Sequence, residues 1–249
     1  MRDLIDGFLG IPRAFELLST RKIGKFVIIA GLFGLIIGIG LSLILYYNFD
    51  NIGDWLVGLY PFEWGRSVVL AIGKWIAFLL GFLILAFSFK YIVIILLSPI
   101  LSHISEVIEA DLTGNTSQPF SVGRLFNEIG RSLRINSRNI FKELFYTIIL
   151  FFIGLFPIPG IGILTTLTIV GIQGYYMGFG NLDFLLERHL NYKDSVRFVK
   201  NNRMMATGNG LGFLLLFSIP VIGFILAPTL SVIGATVEGL ERLDEMPEH

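Results

Sequence analysis

Residues 26–47 read FVIIAGLFGLIIGIGLSLILYY, twenty-two positions without one charged side chain. As an α-helix this stretch is roughly 33 Å long, enough to cross the hydrocarbon core of a bilayer, which is about 30 Å thick. A helix of that length in the core of a soluble protein has a polar face, and this stretch has none. It therefore predicts a transmembrane helix and an integral membrane protein.

The composition of the whole chain agrees with a membrane protein. Hydrophobic residues make up 54% of the chain and charged residues 15%, whereas an average soluble domain has about 25% charged residues. The formal net charge is zero, so we expect no nucleic acid among the partners. The chain contains no cysteine, which excludes disulfides and thiolate metal sites, and we expect no metal and no cofactor.

A second apolar stretch, Val68–Leu101, is longer than the roughly 20 residues that one crossing needs. It predicts a long tilted helix that leaves the membrane near Ser98 and Pro99. The polar and aromatic residues 48–67 before it predict an external loop. Residues 1–25 have the apolar spacing of an amphipathic helix on the membrane surface, which Pro12 breaks or kinks.

Two later apolar stretches, 144–180 and 208–237, are each interrupted by proline and glycine, as FPIPGIG at 156–162 and SIPVIG at 218–223. The first arm, Leu144–Phe156, is roughly 20 Å long as a helix, which is too short to span. We therefore expect two hairpins that enter the membrane part way, turn and leave on the same side. Broken helices of this kind often mark the path of an ion in transport proteins. The expected turn residues are Pro157, Pro159, Gly160, Gly162, Pro220 and Gly223.

These stretches predict an all-α integral membrane protein, a single membrane domain over 1–249 with two long transmembrane helices and two Pro/Gly-broken helical hairpins that partly penetrate the membrane. The predicted segments are a lead-in 1–25, span 26–47, external loop 48–67, span 68–101, cytoplasmic helices 102–143, hairpin 144–180, cytoplasmic connector 181–207, hairpin 208–237 and tail 238–249.

The positions of Lys and Arg predict the orientation. Segments 1–25, 102–143 and 181–207 each carry five of these residues, and 48–74 carries two. The positive-inside rule places both termini and the three basic segments in the cytoplasm. Six complete spans satisfy the same charge distribution, and the shortness of the half-helices favours hairpins.

The sequence offers little for catalysis, so we expect no enzyme. The three histidines, His103, His189 and His249, are scattered, and no metalloprotease, serine-hydrolase or P-loop motif is present.

What stands out is positive charge beside broken apolar helices. Four arginines recur along one broad face of a predicted helix: Arg124, Arg131, Arg134 and Arg138. They form either a solvated or headgroup-facing stripe or a funnel that gathers anions.

A second cationic group, Arg21, Lys22 and Lys25, precedes the first span. There the helix dipole favours an anion, although positive-inside anchors have the same pattern. We expect Pro99, Glu106 and Glu109 to have structural roles, the two glutamates as partners of cytoplasmic arginines.

Several motifs in chain order resemble the CysZ-like sulfate permeases, within the etoposide-induced-protein superfamily of membrane proteins. They are Ser98-Pro99 with Glu106-x-x-Glu109-Ala110-x-Leu112-Thr113-Gly114, the turn at 156–162, Asp183–His189 with Arg197 and Arg203, Ala227-Pro228, and Gly234-Ala235-Thr236. The resemblance covers nearly the whole chain.

The resemblance implies an oligomeric inner-membrane protein that takes up sulfate for cysteine biosynthesis by a channel-like route without ATP. In that family an arginine pair before the first span contacts sulfate. Gly24 and Lys25 occupy the matching positions, with Arg21 and Lys22 just upstream. We therefore expect Arg21, Lys22, Gly24 and Lys25 to form the anion site, with sulfate or a related oxyanion, membrane lipid and other copies of the chain as partners. The alternative is a membrane scaffold or assembly factor of the same superfamily that transports nothing.

Overall fold

The computed structural model describes residues 1–20, 24–58, 66–115, 122–219 and 221–245. Within these ranges, the side chains of 19–20, 25–26, 41, 45, 49–57, 66–89 and 122–125 lie outside the description. The described residues form α-helices, with no strand among them. The helices are α1 (Arg2–Thr20), α2 (Gly24–Gly58), α3 (Arg66–Thr113), α4 (Val122–Gly154), α5 (Ile161–His189), α6 (Tyr192–Asn201), α7 (Arg203–Phe217) and α8 (Ile222–Asp244). The all-α membrane fold expected from the sequence is confirmed.

Four helices within the described residues are long and apolar enough to cross a membrane. Their apolar segments are Val27–Asn48, Lys90–Thr113, Ile161–His189 and Ile222–Asp244. The first coincides with the predicted span 26–47, and the second overlaps the predicted span 68–101 over residues 90–101. The last two are second arms of the predicted hairpins, so the depth to which those hairpins enter the membrane stays a prediction.

Several helices are longer than the apolar pattern suggested. Helix α2 continues to Gly58, so the first half of the expected external loop is helical. Helix α3 runs through Pro99 to Thr113 and joins the second span to the first expected cytoplasmic helix. Helix α1 continues through Pro12 without a break, and the neighbouring Ile11 and Ala14 are buried.

Both Pro/Gly motifs lie where one helix ends and the next begins. Helix α4 ends at Gly154 and α5 begins at Ile161, with Gly160 between them in the left-handed conformation at φ 84° that glycine accepts without strain. Helix α7 ends at Phe217 and α8 begins at Ile222, after Val221 at φ 63°. A positive φ is a strained conformation for a β-branched residue.

The chain divides into two compact units, residues 1–34 with 94–249, and residues 35–93. In the smaller unit, α2 exposes a series of apolar side chains that includes Ile36, Ile39 and Ile44, whereas Lys90 and Tyr91 of α3 are buried. The Lys90 ammonium lies 5.2 Å from the centre of the Tyr91 ring.

The core of the larger unit is built on close helix crossings at glycine. A Cβ added at Gly178 of α5 would overlap the backbone carbonyl of Ala206 in α7, and one at Gly7 of α1 would overlap that of Met205. Gly10 of α1 faces Gly234 of α8, where an added Cβ would lie 2.7 Å from the Gly10 carbonyl. Small residues at these positions let the backbones of α1, α5, α7 and α8 touch, as membrane helices commonly do.

The outer surface of this unit is strongly apolar along the α4–α5 hairpin. Its exposed side chains include Phe145, Phe151, Phe152, Ile163 and Leu167, each more than half exposed. A soluble monomer rarely exposes so large a contiguous apolar surface, whereas a surface that faces lipid does.

Candidate functional site: a polar cluster beside a cavity

The candidate site is a set of charged side chains where α3, α4 and α5 meet within the larger unit. We call it the polar cluster, and it consists of Glu109, Arg131, Asp183, Glu187 and Arg188. Glu109 lies in the last turns of α3, Arg131 in the first half of α4, and the other three in the last turns of α5. Charged side chains that are partly or fully buried need partners, and each of these side chains has one.

Arg131 and Asp183 form the centre of the polar cluster. The guanidinium donates two hydrogen bonds to the Asp183 carboxylate, from Nε to Oδ2 at 3.1 Å and from Nη2 to Oδ1 at 2.8 Å. It also donates from Nη1 to the Leu190 carbonyl oxygen at 3.0 Å and from Nη2 to Ser195 Oγ at 2.8 Å. This bidentate geometry is the strong form of the Arg–carboxylate interaction.

The surroundings of Arg131 also decide its ionisation. Burial alone would lower its pKa, but the hydrogen bond and charge of Asp183, together with the charge of Glu187, raise the pKa above its ordinary value. The side chain is therefore held as a cation. It binds the end of α5 and the start of α6 to α4.

A second group of contacts joins α3 to the end of α5. Ser102 Oγ donates to Glu187 Oε1 at 2.5 Å, and Arg188 Nε donates to Glu109 Oε2 at 2.7 Å. His189 Nε2 lies 2.7 Å from the other oxygen of Glu109. Glu109 thus holds both Arg188 and His189, so a single carboxylate fixes this end of α5.

A cavity of about 180 Å³ opens beside the polar cluster. Its lining residues are Asn127, Glu128, Arg131, Glu187 and Arg188. Arg188 uses Nη1 on the Phe184 carbonyl oxygen and Nη2 on Ser105 Oγ, which leaves one N–H on each of these nitrogens. An oxyanion in this cavity would meet guanidinium donors, but it would also meet the carboxylates of Glu128 and Glu187. The cavity is therefore a mixed-charge site.

Three of the four arginines of the expected funnel have described side chains, and each of these three has a different partner. Arg131 is ion-paired in the polar cluster. Arg134 lies over the Tyr192 ring at 4.2 Å, and Arg138 lies over the Phe179 ring at 5.0 Å. Arg124 belongs to α4, but its side chain lies outside the described residues. Among the three described side chains, the stripe is divided between an ion pair and two aromatic contacts.

Most of the expected anion site before the first span cannot be placed. Arg21 and Lys22 lie outside the described residues, as does the side chain of Lys25. Gly24 is the first residue of α2, and a Cβ added there would have no atom of the described residues within 4 Å.

The expected turn residues that the structure describes lie at the two helix breaks, apart from the polar cluster. Pro157, Pro159 and Gly160 are in the exposed connection between α4 and α5, and Gly162 is in the first turn of α5. Gly223 is buried in the first turn of α8, where a Cβ would lie 2.9 Å from Phe217 Cα. Pro220 lies outside the described residues. The remaining structural candidates, Pro99 and Glu106, lie inside α3, with Glu106 6% exposed.

Sequence reasoning missed a chain of buried amides that joins α5, α7 and α8. Asn181 Nδ2 donates to Asn209 Oδ1 at 2.8 Å, and Asn209 Nδ2 donates to the Ser231 carbonyl oxygen at 2.9 Å. Isolated asparagines in apolar stretches were the available signal, since a buried amide needs partners. Their pairing required the helix crossings to be known.

The residues that the structure describes contain no group of three or more His, Cys, Asp or Glu that could hold a metal ion.

The helices, the apolar exterior and the paired interior charges define the class of a multi-pass, all-α membrane protein. A family model described as "Sulfate transporter CysZ/Etoposide-induced protein 2.4" matches residues 11–228, and the chain belongs to this family. The family description names sulfate transport and no enzymatic activity. No curated protein matches the chain.

Proposed function

We propose that the protein passes a small oxyanion, sulfate first, through a bacterial inner membrane by a channel-like route that needs no ATP. Its membership of the CysZ/etoposide-induced protein 2.4 family is the observation that carries this proposal. The uptake serves cysteine biosynthesis, and the protein acts as a homo-oligomer with both termini in the cytoplasm.

The anion contacts in this proposal are Arg21, Lys22, Gly24 and Lys25 at the start of α2. In the sequence these three cations flank Gly24, where α2 begins and where the positive end of its dipole lies. Lysine is a point charge and cannot form the bidentate hydrogen bonds of arginine. The site therefore distinguishes anions more by their charge than by their shape. Weak discrimination among tetrahedral oxyanions is the expected consequence.

Uptake of radiolabelled sulfate into liposomes that contain the purified protein tests this function. Lys25→Ala should lower the initial rate about tenfold, because a hydrogen bond to a charged group contributes about 1.5–3 kcal/mol. Lys193→Ala, which removes an exposed cation on α6, is the matched control and should leave the rate unchanged. Lys25→Arg should retain transport and favour sulfate more strongly over other oxyanions.

No uptake above protein-free liposomes, in either direction of the sulfate gradient, would reject the transport proposal. Equal loss of rate in Lys25→Ala and Lys193→Ala would reject the site but leave transport standing. Uptake that persists after proton and sodium gradients are collapsed supports the channel-like route.

One observation favours the alternative, a membrane scaffold or assembly factor. Arg131 and Arg188 in the cavity are both ion-paired to acids, which leaves the cavity without the excess positive charge that an anion path needs. The scaffold proposal predicts binding that depends on anionic lipid or on a partner, with no flux of any anion. The liposome experiment therefore separates the two functions.

A further inference from the structure

A second group of cations lies at the base of the α4–α5 hairpin, away from the polar cluster. Arg138 and Lys142 are one turn apart on α4, and Arg203 is the first residue of α7. Lys142 and Arg203 are exposed, and Arg138 is half-buried. Among the described residues, none of the three forms an ion pair with an acid.

These three side chains come from different parts of the chain, and two of them are linked to Arg138, Lys142 directly and Arg203 through Tyr175. The charge of Arg138, with a smaller contribution from burial, lowers the pKa of Lys142 below its ordinary value. Arg138 and Arg203 both act electrostatically on the Tyr175 hydroxyl of α5. Like charges held together without an acid repel, and a bound anion would relieve that repulsion.

Arg138 retains most of its hydrogen-bonding capacity. Within the described part of the chain only Nη1 has a hydrogen-bond acceptor, Asn139 Oδ1 at 3.2 Å, and the guanidinium rests on the Phe179 ring. Four of its five N–H groups are therefore available to oxygen atoms of a ligand. Helix α7 begins at Arg203 without a side-chain cap, so its first backbone N–H groups add partial positive charge at the same place.

The character of the exposed surface changes at this point along α4. Beyond Lys142 the exposed side chains are apolar, with Phe145 at 61% exposed and Phe152 at 60%. Tyr146 is 45% exposed and packs edge-to-face on Phe145 at 5.5 Å. Tyrosine beside the boundary between exposed charge and exposed apolar surface is typical of the headgroup layer of a membrane.

We propose that Arg138, Lys142 and Arg203 bind the phosphate of an anionic phospholipid headgroup, with the Tyr175 hydroxyl donating to the same phosphate. The apolar side chains of Phe141 and Phe145 beside the cations give the acyl chains a surface, which a free inorganic anion would not use. Guanidinium and ammonium groups are the usual partners of lipid phosphates. The site fixes the α4–α5 hairpin at the membrane surface.

Native mass spectrometry of the full chain, released from nanodiscs of equal phosphatidylglycerol and phosphatidylcholine, tests the site. The wild type should retain phosphatidylglycerol preferentially. Each removed cation should lower that preference about fivefold, so Arg138→Gln with Arg203→Gln should lower it about 25-fold. Arg2→Gln with Lys193→Gln removes two exposed cations elsewhere and should leave the preference unchanged.

Lys142→Gln guards against misfolding of the double variant, because the Lys142 side chain is exposed and its loss leaves packing intact. It should lower the preference about fivefold by itself. A preference that is unchanged in Lys142→Gln and in a folded double variant would overturn the site. So would an equal loss in the Arg2 and Lys193 control.

Replacing chloride with inorganic phosphate at equal ionic strength separates a lipid site from a free-anion site. Retention of phosphatidylglycerol under both conditions supports the lipid. Its complete displacement by phosphate would show that the three cations hold a free anion, and would overturn the proposal as stated.

Discussion

Replacement of Arg131 by methionine should be among the most destabilising single changes in the larger unit. Asp183 is 5% exposed, and both of its carboxylate oxygens accept from Arg131. Without the guanidinium, this buried carboxylate loses the two hydrogen bonds of 2.8 and 3.1 Å that it accepts from Arg131. Removing one member of a buried ion pair costs about 3–5 kcal/mol, so the unfolding equilibrium should shift by a factor of about 150 or more.

The assay is unfolding by sodium dodecyl sulfate in mixed micelles, followed by far-UV circular dichroism, on a four-member cycle. Its members are wild type, Arg131→Met, Asp183→Leu and the double variant. Because apolar replacement of a whole buried pair is often neutral, the double variant should recover most of the loss, with a coupling energy of about 3 kcal/mol. Arg134→Met on the next turn of α4 is the control, and loss of its exposed contact with Tyr192 should cost about 0.5–1 kcal/mol.

A double variant as unstable as the sum of the two single changes would refute the assignment of Arg131 and Asp183 as an interdependent pair. So would a cost of Arg131→Met no greater than that of Arg134→Met.

Two further predictions concern helix packing. Gly178→Ala should cost more than about 2 kcal/mol, because the added methyl group overlaps the Ala206 carbonyl. Gly171→Ala on the same helix meets no atom of the described residues within 4 Å and should stabilise by up to about 1 kcal/mol. The same unfolding assay measures both variants, and equal effects would contradict the close crossing of α5 and α7. Asn209→Leu should lower the free energy of unfolding by about 1–3 kcal/mol, because it leaves the Asn181 amide unpaired. Adding Asn181→Leu should recover part of that loss. No recovery in the double variant would contradict the chain of buried amides.

The sequence was sufficient for features that depend on local pattern. An uncharged run of twenty-two residues has few stable conformations outside a membrane helix, and α2 contains it whole. The FPIPGIG motif fixed the position of the turn between α4 and α5, because two prolines remove backbone donors there. Polarity alone was a poorer guide to helix ends, since α2 extends eleven residues past Tyr47 through polar and aromatic positions.

The site depended on contacts that no local pattern contains. The regular spacing of Arg131, Arg134 and Arg138 predicted a shared face, but each cation meets a different partner on α5 or α6. Asp183 is 52 positions from Arg131, and its role followed only from the packing of α4 on α5. The glycine crossings were equally hidden, because glycine is frequent throughout the apolar stretches and only the fold distinguishes Gly178 from Gly171.

The docking of α1 on α7 and α8 constrains how this chain is made. Gly7 and Gly10 meet backbone that is synthesised roughly 200 residues later, at Met205 and Gly234. At a translation rate of about 5–20 residues per second, α1 is synthesised on the order of 10–40 s before the helices on which it packs. During synthesis the face of α1 that carries Gly7 and Gly10 is therefore exposed to lipid or to a chaperone. The packing of α1 on α7 and α8 is a late event in translation.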